Sequence, residues 1–205
     1  MAIANSKSTL AKLLAQENLS VEHRKTSTAY FDPKNRVLVL PIWKNMSSDL
    51  YDLLVGHEVG HAWETPAEGW HNAIAKCKKG FKSYLNLIED ARIEKCIKNR
   101  YPGLRSCFYR AYNELVNKNF FGVLDKDLNT LPLIDRINLH FKVGPFMAVP
   151  FSPPEKIYIA RISNISTWDD VVSIATELYE LRKEEIENAL FNDNNESNEY
   201  NDDED

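Results

Sequence analysis

Gly56-His57-Glu58-Val59-Gly60-His61-Ala62 is the stretch from which the rest of the chain is read. It lies in a segment where Leu50, Leu53, Leu54, His57 and His61 recur at helical spacing. Ser47 or Ser48 can cap the start of that helix, and Thr65-Pro66 stops it. Residues four apart on a helix differ by only about 40° around the axis and one turn along it. Two imidazoles so placed reach one metal ion with the backbone fixed, which is what zinc asks of a pair of ligands. Glu58 projects about 60° from His61, beside such an ion and not on it. A carboxylate there can take a proton from a water on the metal and return it to a leaving amine. Glycine costs about 1 kcal/mol in a helix interior, so Gly56 and Gly60 together imply close approach by another element.

Outward from this helix the pattern is mostly helical. Upstream, Ser8 or Thr9 caps a short helix carrying Leu10, Leu13 and Leu14 and ending near Asn18. Thr26–Phe31 and Arg36–Leu40 read as strands joined through the turn residues Asp32-Pro33-Lys34-Asn35, a hairpin. Downstream, helices are expected over Phe81–Asn99, Leu104–Asn119 and Leu131–Lys142. A proline-rich connector (Pro145, Pro150, Pro153, Pro154) follows, then a last helix from about Trp168 to Leu190. There is no internal repeat. The expected fold class is α+β, predominantly helical, with an early β-hairpin and the His57–His61 helix at its centre.

The segment Gly56–Ala62 resembles the active-site helix of zincin metallopeptidases, and the hairpin before it resembles the edge strand that pairs with substrate backbone in that superfamily. Leu87-Ile88-Glu89-Asp90-Ala91-Arg92-Ile93-Glu94 is similar to a Glu-Asp-x-Arg-x-Glu segment of phage and bacterial proteins that join a zincin-like region to a von Willebrand factor A domain. The resemblance spans roughly residues 26 to 115. It implies zinc as cofactor, a protein or peptide substrate, and hydrolysis of peptide bonds.

A catalytic zinc has three protein ligands and an open position. His71 and His140 are badly placed for the third, so the resemblance to glutamate-type zincins points to a carboxylate from a second helix. Glu89, Asp90 and Glu94 compete for it. Glu89 shares a stripe with Leu85 and Ile93, an apolar face where a carboxylate is costly unless it meets a cation. Asp90 lies in line with Asn86 and Glu94. Glu89 is therefore the expected ligand, with Asp90 or Glu94 orienting a histidine or pairing with Arg92. The glutamate-x-x-x-aspartate spacing common in such enzymes is not met from Glu89, because Ile93 stands four residues on.

Composition sets the limits. The 205 residues suit one domain with an ordinary core, and no apolar run approaches the eighteen residues of a membrane span. The N-terminus is no signal peptide, and Cys77, Cys96 and Cys107 lack metal or disulfide spacing, so a cytoplasmic protein with reduced thiols is expected. Residues 192–205 hold seven acidic residues and no basic one, which turns the formal charge of −5 into +2 for residues 1–191. That acidic tail is expected to be disordered, or a linker to an appended domain. Between Lys76 and Arg110 ten basic residues face three acidic ones, with tyrosines interleaved, a candidate nucleic-acid surface beside the plainer reading of a solvated face. Tyr109 and Tyr112 are candidate oxyanion donors, although aromatics at that spacing are more often core. The domain reading is a zincin-like unit over 1–191 followed by the tail at 192–205. The competing functional class is a binding or adaptor module with a residual zinc site.

Overall fold

The computed structural model describes residues 10–12, 15, 19–75 and 80–199. Leu10 to Lys12 and Ala15 are helical, with Ala11 and Ala15 buried, whereas the expected cap at Ser8 or Thr9 lies outside the described residues. Three strands follow: β1 (Ser20–Arg24), β2 (Tyr30–Asp32) and β3 (Val37–Pro41). β3 is central. β1 runs parallel to it, with Ser20 opposite Val37, and β2 runs antiparallel, with Tyr30 opposite Val39. Asp32 Oδ1 accepts the amides of Lys34 and Asn35, which closes the turn between β2 and β3. The hairpin is thus present, though its first strand is shorter than expected. β1 carries no apolar run, and its extended form comes from pairing with β3 and not from its own residues.

The helices are α1 (Ser48–Glu64), α2 (Ala67–Ala75), α3 (Phe81–Arg100), α4 (Leu104–Asn117), α5 (Leu133–Val143), α6 (Pro153–Asn164) and α7 (Trp168–Glu199). The chain is α+β and mostly helical, as its periodicity implied. Ser47 caps α1, its Oγ accepting the Leu50 amide at 3.0 Å. Two helices escaped the sequence reading. α2 starts directly after Pro66, and α6 takes Pro153 and Pro154 into its first turn, where a missing N–H costs nothing. A capping box between Ser152 and Glu155 fixes that start. α7 runs to Glu199, beyond the expected end at Leu190, because extending an existing helix is far easier than starting one. Residues 200–205 of the acidic tail lie outside the described residues. None of the described helices is long and apolar enough to cross a membrane.

Two buried clusters share α3. One gathers Leu38, Leu40, Leu53, Val55, Val59, Ile97 and Phe108; the other gathers Phe81, Leu85, Ile88, Ile137, Ile162 and Leu178. The α1 glycines are the points where neighbouring helices close in. A Cβ at Gly60 would stand 3.0 Å from Ile93 Cδ1 on α3, and one at Gly56 would stand 3.0 Å from Phe108 Cε2 on α4. Gly60→Val is accordingly expected to cost about 1–3 kcal/mol by overpacking. Equilibrium denaturation measures this, and an unchanged unfolding midpoint would contradict the close approach.

Candidate metal centre

The α1–α3 contact at Gly60 brings one face of each helix together. α1 contributes His57 and His61, and α3 contributes Asp90 and Glu94 one turn apart. His61 Nε2 lies 3.2 Å and His57 Nε2 3.5 Å from the same oxygen, Asp90 Oδ1. One ligand atom from each of the three residues falls within 4.8 Å of the others. The remaining ring nitrogens are occupied on the far side. His57 Nδ1 is 3.2 Å from Glu94 Oε1, and His61 Nδ1 is 3.0 Å from Thr65 Oγ1, whose hydroxyl donates to Glu89 Oε1 at 2.5 Å. Each Nδ1 thus faces an oxygen that can accept its proton, and each Nε2 is the nitrogen turned toward Asp90, able once deprotonated to meet an ion.

That donor set fits zinc: two imidazoles and a carboxylate, each held from behind by a hydrogen-bond partner. Among the described residues no fourth His, Cys, Asp or Glu joins the group.

Glu89, the expected ligand, is not brought to the histidines. It is fully buried and binds Arg92 through two bonds, Nε to Oε2 and Nη2 to Oε1, both 2.8 Å. Arg92 also donates to the Glu64 carbonyl at 2.8 Å, tying the end of α1 to α3. Asp90 stands where Glu89 was expected. The reason is the environment of the two stripes. The apolar stripe of Glu89 faces the packed interior and finds its cation there, while Asn86 and Asp90 of the polar stripe line the cleft with the histidines and Glu94 is buried behind His57. Arg92→Met leaves the Glu89 charge buried and unpaired, so a loss of about 3–5 kcal/mol in unfolding free energy is expected. A loss below about 1 kcal/mol would contradict the buried pair.

Glu58 is 7% exposed and lines the same cleft. Burial pushes its carboxyl above the usual carboxylate range, and the charges of His57 and His61 oppose this only in part. Burial alone would lower the His57 pKa, but the charge and hydrogen bond of Asp90, aided by Glu94, lift it to about 10. Asp90 resists the upward push of burial because Lys142 and His57 hold it well below its ordinary value. Glu94 is likewise held down, by Lys142, His57 and Lys98. Tyr112 lines the cleft and donates its hydroxyl to Glu94, while Tyr109 is exposed and packs on Phe146 at 4.6 Å, away from the cleft lining.

The cleft has a volume of about 1030 Å³. Edge strand β2 borders it through Tyr30 and Phe31, and Leu53, Leu54, Leu115 and Phe121 give it an apolar half. The other candidates stand apart. His71 is exposed on α2, and His140 packs edge-on against Phe141 and Phe151. Cys96 and Cys107 are free and half-buried, and Cys77 lies outside the described residues. Within the basic stretch, Lys95 donates to the Ser163 and Ile165 carbonyls, Lys98 pairs with Glu94, Arg100 stacks on Trp63 and Arg110 pairs with Asp49. Lys76, Lys78 and Lys79 lie outside the described residues. The sequence reading missed two residues of the site. Thr65 registered only as a helix stop, and Lys142 lies 52 residues beyond its partner Asp90 with no motif to mark it.

Comparison with family models, with curated proteins and with solved structures finds no match to this chain.

Proposed function

We propose that this chain is a zincin-like, zinc-dependent metallopeptidase that hydrolyses peptide bonds in the cleft between β2 and the α1–α3 pair. One observation carries the reading: His57 Nε2, His61 Nε2 and Asp90 Oδ1 converge beside Glu58 in an open cleft. His57, His61 and Asp90 would hold the zinc. A zinc ion held there would supply Lewis acidity toward a carbonyl and a water. Glu58 accepts the proton of the attacking water and delivers it to the leaving amine. Glu94 and the Thr65–Glu89 pair hold the two imidazoles in the tautomer that presents Nε2. Among the described residues β2 is an edge strand, so its backbone offers groups to pair with an extended peptide, and the apolar half of the cleft receives side chains.

The competing reading is an adaptor with a structural zinc. A closed four-ligand site would favour it, and among the described residues the group has three members. Proteome-wide cleavage profiling of the wild type against Glu58→Gln tests the peptidase reading. New peptide termini that depend on Glu58 support it, and identical profiles would overturn it.

A further inference from the structure

On the side of Asp90 away from the histidines lies a cation with no place in the proposed hydrolysis. Lys142, on α5, sends its Nζ to 3.1 Å from Asp90 Oδ2 and 3.6 Å from Glu94 Oε1. Its side chain is only 16% exposed. Those two carboxylates have different tasks, since Asp90 faces both Nε2 atoms and Glu94 holds His57 Nδ1. One ammonium therefore neutralises the carboxylate that meets the ion and the carboxylate that orients a ligand. Glu94 has a second cation, Lys98 at 3.2 Å. The only cation paired with Asp90 among the described side chains, apart from the histidines themselves, is Lys142.

We propose that Lys142 is a built-in counter-cation that competes with the divalent ion for Asp90 and Glu94 and so sets the affinity of the site. The inference rests on the metal-site reading above. Without an ion, two carboxylates buried between helices need a compensating charge, and Lys142 provides it. With an ion, the same ammonium sits across one carboxylate from a dication. In a partly dry cleft that repulsion is screened far less than in water. Lys142 is a positioning residue: it holds Asp90 by Oδ2 and leaves Oδ1 facing the histidines.

Two effects of removing it oppose each other. Losing an outer hydrogen bond to a ligand weakens metal binding by roughly 10- to 100-fold. Losing a positive charge beside the ion strengthens it. The second dominates here, because Asn86 Nδ2 also holds Asp90, at 3.3 Å from Oδ1, and Lys98 still holds Glu94. The orientation of both carboxylates therefore outlasts the loss of the ammonium.

Lys142→Gln separates the effects, since it keeps a hydrogen-bond donor for Asp90 and removes the charge. Lys142→Arg keeps the charge. Zinc and cobalt(II) affinities of the full chain are measured by competition with a chromophoric chelator, beside thermal unfolding of the metal-free proteins. The Gln variant is expected to bind both ions at least tenfold more tightly (roughly ten to a hundred times) and to unfold at a lower temperature without metal. The Arg variant is expected to stay within about threefold of the wild type. A Gln variant that folds only after metal is added supports the same role. Wild type and Gln variant binding zinc equally, or the variant more weakly, would overturn the inference while leaving the metal site standing. Failure of both proteins to bind either ion would overturn both.

Discussion

Glu58→Gln is expected to keep its zinc and to lose peptide hydrolysis by a factor on the order of 10² to 10⁴. The substitution keeps size and shape, so packing on the cleft wall is undisturbed. It removes a buried carboxylate that lines the cleft with His57, His61 and Asp90 without being a member of their group. An amide cannot accept the proton of the attacking water. Zinc content and turnover are measured on the same preparation, using a peptide taken from the cleavage profile. Retained zinc with activity lost identifies Glu58 as the base, whereas undiminished turnover would remove it from the mechanism.

The second large effect separates two neighbouring carboxylates. Asp90→Ala removes a direct ligand atom and is expected to weaken zinc binding by more than the 10- to 100-fold typical of an outer partner. Glu89→Gln acts two bonds away, through Thr65 and His61, so its effect on zinc is expected to stay within that 10- to 100-fold range. Its larger cost falls on folding, because Arg92 loses its buried counter-charge. A zinc titration of both variants distinguishes them. Glu89→Gln losing zinc while Asp90→Ala retains it would reverse the placement of the two residues.

That reversal would restore what the sequence suggested, and the source of the difference is physical. Helical periodicity located α1, α3, α4 and α5 nearly to their ends, since each carries its own apolar stripe. His57, Glu58 and His61 were legible because their relation is internal to one helix. Which carboxylate meets the two histidines depends on how α3 is rotated against α1, and no local pattern encodes that rotation. The apolar stripe of Leu85, Glu89 and Ile93 did mark the inward face, as Leu85 and Ile93 are fully buried. The cleft that the histidines face, however, is lined from α3 by Asn86 and Asp90 of the polar stripe. Glu89 met the cation that its burial required, and that cation was Arg92, three residues along the same helix. With Asp90 in the ligand position, Glu94 falls four residues later, so a carboxylate pair one turn apart is present after all, in the order Asp-x-x-x-Glu.

Elements that depend on partners were the ones missed. β1 is extended because β3 is beside it, and α6 begins in prolines that looked like a connector. Lys142 reaches the site from another helix, and its role is visible only once α5 is packed against α3.

The proposed mechanism requires a single zinc held by His57, His61 and Asp90. Elemental analysis of the purified full chain, after dialysis against metal-free buffer, tests it most directly. About one zinc per chain is expected in the wild type, and none in the His57→Ala/His61→Ala double variant, with both proteins folded by circular dichroism. A zinc-free wild type that takes up no added zinc, or a double variant that retains its ion, would contradict the account.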